Sequence, residues 1–149
     1  MKHFLLSTLL LSSIAQAVVP KGFDKPLKTL TTPLPLDPLS PQEKRWVQCQ
    51  TFAYGTVKEV YHGGRGSARL SLIPQALPKN FSCLEELQSG EIDLKGQFMS
   101  FYGAKNGYGF FVIDDGTVRG GMMFRILRMS DAQPVFGDEW RLSEPHSAT

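Results

Sequence analysis

The sequence is poor in the side chains on which catalysis and metal binding usually depend. Its 149 residues include only three histidines and two cysteines. His3 and His146 lie near the two ends, so His62 is the one histidine in the body of the sequence. A Gly-x-Ser-x-Gly nucleophile motif, a His-Glu-x-x-His zinc motif and a phosphate-binding loop are all missing. We therefore expect no catalytic residue and no cofactor, and a binding protein is favoured over an enzyme.

Neither positive nor negative charge is in large excess. Sixteen lysines and arginines stand against 14 aspartates and glutamates, a formal charge of +2 that falls to +1 if Lys2 is removed with the N-terminal segment. Proteins dedicated to nucleic acids or anionic membranes are usually strongly basic. The near-neutral balance argues against both classes.

Long apolar runs are missing except at the N-terminus. Phe4–Ile14 (FLLSTLLLSSI) is an apolar run of eleven residues, about half the roughly 20 that a membrane-spanning helix needs. Lys2 and His3 precede it, and Ala15-Gln16-Ala17 fits the small-x-small rule for signal peptidase. These features predict a signal peptide over residues 1–17, whose cleavage gives a soluble periplasmic or secreted protein. An uncleaved anchor and a buried helix are the alternatives.

The interpretation of the two cysteines, Cys49 and Cys83, depends on the predicted export. In an oxidising compartment an even number of cysteines indicates a disulfide. Two buried free thiols or a redox pair are the alternatives, but a redox dithiol normally has Cys-x-x-Cys spacing. We predict one structural disulfide.

Proline is unevenly distributed, with six of the ten prolines within residues 18–41. Because proline lacks an amide donor and fixes φ, this stretch cannot form a helix or an inner strand. We predict an extended, partly polyproline-like leader over residues 18–44, either a spacer or a docking segment for a partner's aromatic groove. A single β domain over 45–142 and a flexible tail over 143–149 follow.

Short strands separated by glycine and asparagine make up the β domain. Gly55 is predicted to mark a bulge or a bend that shifts the apolar phase of the first strand. The capping-box spacing of Ser82 and Glu85 predicts one short helix over 82–90. Strands are predicted over residues 46–61, 67–73, 92–102, 108–113, 117–129 and 135–142.

Two turn signals, Asn106-Gly107 and Asp114-Asp115-Gly116, flank the aromatic run Tyr108–Ile113 (YGFFVI). Together with Leu94-Lys95-Gly96-Gln97 and Met122-Met123-Phe124-Arg125, this stretch resembles the first meander of an OB-fold. The resemblance implies a small barrel with an aromatic hairpin that stacks on sugars or bases. The predicted fold is mainly β, a small antiparallel barrel or sandwich, OB-like in one form, of about six strands with one short helix.

Aromatic and basic side chains gather around this hairpin. Aromatic rings stack on bases and sugars, and cations attract phosphates. The alternative is that half of the rings fill the core and the rest pack on the leader. The predicted ligand-binding residues are Phe101, Tyr102, Lys105, Tyr108, Arg119 and Arg125, with Phe110, Phe111 and Lys95 beside them.

Methionines suggest a copper site, because thioether sulfur suits Cu(I). Met122 falls on the apolar parity of its strand, so core packing explains it. Met99 and Met123 fall on the other parity. Met123 and His62 are the weak candidates for metal binding, and no metal is expected otherwise.

These observations favour an exported, non-enzymatic binding protein that contacts another protein of the envelope or secreted compartment. An OB-like binder of oligosaccharide or single-stranded nucleic acid is one alternative. A periplasmic copper-handling protein is the other.

Overall fold

All regular structure in the described part of the chain is β. The computed structural model describes residues 21–63, 67–75, 77, 81–94, 99–114 and 122–140, so the predicted signal peptide and tail lie outside it. The prediction of a mainly β fold is confirmed. The described strands are β1 (Lys28–Pro33), β2 (Arg45–Phe52), β3 (Gly55–His62), β4 (Arg69–Ile73), β5 (Ile92–Asp93), β6 (Met99–Lys105), β7 (Tyr108–Asp114), β8 (Met122–Arg128) and β9 (Pro134–Trp140).

The strands form two antiparallel sheets. The first sheet has the order β1-β2-β3-β4-β5 and the second has the order β6-β7-β8-β9. Neither sheet closes on itself within the described residues, so the expected OB-like barrel is not found. A shared apolar cluster joins one face of each sheet: Phe52, Val57, Leu70 and Leu72 from the first, and Met99, Ala104, Phe111, Ile113 and Leu127 with the adjacent Met129 from the second.

The strand predicted over residues 92–102 is divided between the two sheets. β5 pairs with β4, whereas β6 pairs with β7. The alternation of apolar residues continues through both strands, and alternation alone does not identify the partner of a strand. The change of sheet adds one strand to the six predicted, and the β2–β3 hairpin and β1 add the other two of the nine described strands.

The strand predicted over residues 46–61 is a hairpin of β2 and β3. Gly55 does not form a bulge, and the phase shift there comes from the turn between the two strands. Phe52 pairs with Gly55, so the chain reverses at residues 53–54. Gly55 has φ +151°, and a Cβ there would lie 2.9 Å from the carbonyl oxygen of Ile73. The shift in apolar phase at this glycine therefore marks a reversal of the chain.

The leader contributes a strand to the first sheet. β1 is the edge strand, with Leu30 opposite Cys49 and Pro33 opposite Trp46. An edge strand tolerates proline because one side of its backbone forms no ladder. This part of the predicted leader belongs to the folded domain, so a leader that only precedes the β domain is not confirmed.

The helix predicted over residues 82–90 is not formed. These residues are irregular, with a turn at 89–90. A capping box requires the Glu85 side chain to bind the backbone at Ser82. Glu85 instead binds Arg45 (2.8 Å from Nη2 to Oε1) and His62 (3.1 Å from Nε2 to Oε1). Contacts to the first sheet thus replace the local hydrogen bond that would start a helix.

The predicted disulfide between Cys49 and Cys83 is present, with a Cα–Cα distance of 6.0 Å. It holds the segment 81–91 against the face of the first sheet that points away from the shared cluster. Val47 and Val60 surround the two sulfur atoms in a second buried cluster. In the described part of the chain, no helix is long and apolar enough to cross a membrane.

Candidate functional site

The second sheet has one face toward the shared cluster and one face away from it. Phe111 and Leu127 are buried in the cluster. Side chains alternate along a strand, so their sequence neighbours Phe110 and Ile126 point to the opposite side. We call this side the outer face. It includes Tyr108, Phe110 and Val112 of β7, Phe124 and Ile126 of β8, and Phe136 of β9, with Tyr102 at the β6 edge. By register Asp114, Met122, Asp138 and Trp140 fall on the same side, toward the end of the sheet.

Aromatic rings dominate the outer face, and several are open to solvent. Tyr102 is 53% exposed, Phe136 is 51% exposed and Tyr108 is 39% exposed. The rings of Phe110 and Phe124 are half-buried, with 6.0 Å between their centroids. Contiguous exposed apolar surface of this kind is typical of an interaction site.

Phe23 of the leader covers the β6 edge of the outer face. Its ring packs edge-on against Tyr102 and Phe110, at centroid distances of 5.7 and 5.0 Å. The ring lies over Gly103, where a Cβ would be 2.6 Å from Phe23 Cγ. Glycine therefore makes room for Phe23. Some of the hairpin aromatics thus pack on the leader, which was the alternative to a ligand-binding cluster.

Asp24 continues this attachment at the β6–β7 turn. Its carboxylate accepts hydrogen bonds from Lys105 Nζ (2.9 Å), the Asn106 amide (2.9 Å) and the Tyr54 hydroxyl (3.0 Å). The hydrogen bonds from Lys105 and then from Asn106 lower the pKa of Asp24. Since β1 follows within a few residues, the segment 23–33 fastens the second sheet to the first.

The described cations beside the outer face, Lys105 and Arg128, are paired within the chain. Lys105 and Arg128 both lie opposite Tyr108 in register. Lys105 binds Asp24, and Arg128 binds Asp131 at 2.9 Å. The positive charges on both sides of Tyr108 are therefore neutralised, and these residues attract a polyanion only weakly.

The predicted ligand-binding residues are distributed over both faces of the second sheet. Tyr102 and Tyr108 belong to the outer face, with Lys105 at its margin. Phe101 packs against the shared cluster. Arg125 is exposed but lies opposite Phe111 in register, on the other face from Tyr108. Arg119 and Lys95 lie outside the described residues.

The structure does not bring the weak copper candidates together. His62 ends β3 in the first sheet, where it contacts Arg45 and Glu85. Met123 lies on β8 of the second sheet and packs against the shared cluster. Met99 is buried in that cluster, so the parity assigned to the core was wrong for these two methionines. Within the described residues, no group of three His, Cys, Asp or Glu side chains is arranged to hold a metal ion.

A buried carboxylate links the two sheets. Glu59 Oε1 accepts hydrogen bonds from Ser67 Oγ (2.9 Å) and from the Phe101 amide of β6 (3.0 Å). Its Oε2 accepts one from the Tyr61 hydroxyl (2.6 Å). Burial raises the pKa of Glu59, and burial together with the Glu59 charge raises the pKa of Tyr61. Both carboxylate oxygens are occupied by the chain, so this group is suited to joining the sheets.

A second buried carboxylate, that of Glu91, lies at the end of the segment 81–91 and contacts the first sheet. Lys58 and Glu91 form an ion pair at 2.7 Å, and each side chain is only 1% exposed. Lys58 Nζ also donates to the carbonyl oxygen of Glu86 (2.7 Å), and Ser71 Oγ donates to Glu91 (2.8 Å). The pair has the extra hydrogen bonds that a buried ion pair requires.

Sequence reasoning missed Phe23 and Phe136 as surface aromatics. A usable signal was present in β8, where Phe124 and Ile126 alternate with Met123 and Leu127. Both parities of that strand are apolar except for Arg125 and Arg128, which is typical of a strand covered on two sides or exposed at an interface. No protein-family model matches this chain, and comparison with curated proteins and with solved structures gives no significant match either.

Proposed function

We propose that this chain is an exported, non-enzymatic interaction protein that binds a protein partner through the outer face. The observation that carries the proposal is the exposure of Tyr102, Tyr108 and Phe136 on one continuous sheet surface. Burying a large apolar side chain contributes about 1.5–3 kcal/mol, so a few such rings supply much of a protein–protein affinity.

The chemistry of the surface favours a protein partner over a charged polymer. Interface cores are enriched in aromatic residues and depleted in charge. The cations nearest to the rings, Lys105 and Arg128, are already neutralised by Asp24 and Asp131. Arg125 lies on the opposite side of the sheet and is not positioned to assist ligand stacking on the outer face.

The disulfide supports placement outside the cytoplasm. Structural disulfides persist in oxidising compartments and are rare in the cytosol. The Cys49–Cys83 bridge fits the export predicted from residues 1–17. We also infer that the two sheets form a sandwich, because they face each other across the shared apolar cluster.

Site-specific photo-crosslinking in intact cells tests the proposal. A photoreactive amino acid at position 136 lies on the outer face, and one at position 87 replaces a similarly exposed leucine on the segment 81–91. We expect a discrete protein adduct from position 136 and none from position 87. Absence of an adduct at 136, or the same adducts at both positions, would refute the role of the outer face.

The exposure of Tyr102 and Tyr108 also favours a second candidate, a binder of oligosaccharide or single-stranded nucleic acid. Stacking is worth about 1–3 kcal/mol per base, so Tyr108→Ala should weaken binding at least about fivefold and leave the fold intact. Titration with oligosaccharide and single-stranded oligonucleotide panels checks this. Equal binding by Tyr108→Ala and the unaltered protein contradicts it.

A further inference from the structure

We infer that the partner of the outer face is a second copy of this chain, which forms a twofold dimer by stacking the two outer faces. The inference rests on the proposed function of this face as a protein-binding surface. It specifies the occupant from the size, the charge and the shape of the surface. A twofold interface uses the same surface on both subunits, so the surface must complement itself.

The area of the second sheet is close to the lower limit for a specific dimer. Its four strands each span seven residues. With about 4.8 Å between strands and about 3.3 Å per residue, the sheet measures about 19 by 23 Å. Two such faces cover about 900 Å² in projection. The relief of the side chains raises the accessible area toward the roughly 1,200 Å² at which stable interfaces begin.

The charges allow the face to meet itself. A like charge brought against its copy opposes association. Lys105 and Arg128 are the described cations at the margin, and each is paired with an aspartate of the same chain. By register Asp114 of β7 and Asp138 of β9 also fall on this side of the sheet. The twofold axis described next sets each of them against a different strand of the other copy, so stacking brings no like charge of the described residues against its own copy.

The relief of the face determines the orientation. Phe23 sits above Gly103 and forms a ridge with Tyr102 along the β6 edge. A twofold axis parallel to the strands sets β6 of one copy opposite β9 of the other. The ridge of each copy then meets Phe136, which is 51% exposed. Both edges of each sheet take part, and the rings pack as they do in a sheet-on-sheet core.

Sedimentation of the exported protein over a range of concentrations tests the dimer. We expect twice the mass of one chain at micromolar concentration. Phe136→Asp and Tyr102→Asp should each weaken self-association at least about 30-fold, which is the loss typical of an interface hot spot. Leu87→Asp, at a position of similar exposure on the segment 81–91, should leave it unchanged. Far-UV circular dichroism and urea midpoints confirm that the variants are folded.

Three results overturn the inference: a monomer at 100 μM, a dimer that survives both outer-face variants, or a dimer that Leu87→Asp weakens as much. If the protein is a monomer, binding of an apolar dye and the crosslinking described above distinguish between two explanations. Dye binding that Phe136→Asp abolishes, with a heterologous adduct at position 136, leaves the proposed function standing. A monomer that binds no dye and gives no adduct has its face covered by its own chain, and the proposed function fails as well.

Discussion

Removal of the disulfide gives the sharpest test of how this fold is held together. In the double variant Cys49→Ala/Cys83→Ala the unfolded chain regains the freedom of a loop whose ends are 34 residues apart. The chain-entropy relation gives about 3.8 kcal/mol for a loop of this length at 25 °C. Both cysteines are buried, so loss of the two sulfur atoms adds about 1 kcal/mol of packing. We expect a total loss of about 4–5 kcal/mol.

The noncovalent contacts of the segment 81–91 explain why the loss should not exceed this figure. Without the bridge, Glu91 still pairs with Lys58 and Ser71, and Glu85 still pairs with Arg45. The folded state therefore keeps its arrangement, and most of the effect lies in the unfolded chain.

Urea unfolding followed by circular dichroism measures the effect. With an m-value of about 2 kcal/mol per molar urea, the midpoint should fall by about 2 M. The unaltered protein in reducing agent is the control and should unfold with the double variant. A loss below about 2 kcal/mol, or equal midpoints for the oxidised and reduced protein, would contradict the assignment of the bridge as a major source of stability.

Three further changes test buried and close-packed groups. Lys58→Met should cost about 3–5 kcal/mol in the free energy of unfolding, because Glu91 is left charged and buried without its cation. Glu59→Gln should flatten the dependence of stability on pH. Because the pKa of Glu59 is raised in the folded protein, the protonated side chain stabilises the fold. This contribution is complete below the pKa that Glu59 has in the unfolded chain and is lost as pH rises through its pKa in the folded protein. Gly103→Ala should displace Phe23, lower stability by about 1–2 kcal/mol and speed proteolysis of residues 21–28.

Each of these changes has a matched control. Lys58→Met combined with Glu91→Leu should recover most of the loss, and a double variant as unstable as the single one argues against an ion pair. For Glu59→Gln, urea midpoints from pH 4.5 to pH 8 that parallel those of the unaltered protein exclude the proposed titration. Gly137→Ala introduces a Cβ with contacts no closer than 3.7 Å. It should be neutral, so equal effects at 103 and 137 would contradict the Phe23 contact.

The sequence indicated several features correctly because their signals are local. Alternation of apolar residues and the Asn106-Gly107 turn depend on neighbours within a few positions, so they predicted strands and a hairpin between β6 and β7. The disulfide followed from counting two cysteines in a chain with export features. The capping-box signal at Ser82 and Glu85 is local too, but contacts from Arg45 and His62 overrode it.

In the candidate site, local sequence signals do not predict which side of a strand becomes buried. In β8 apolar residues occur on both parities, and strand alternation alone determined that Phe124 and Met123 lie on opposite sides. Only the packing of the second sheet against the first decided that Met123 faces the core and that Phe124 joins the outer face. Likewise, proline content excluded a helix over residues 18–41, but only pairing with β2 and the packing of Phe23 over Gly103 decided that residues 23–33 form an edge strand and hold the second sheet. The physical reason is common to both: burial depends on partners far along the chain, which a single strand does not specify.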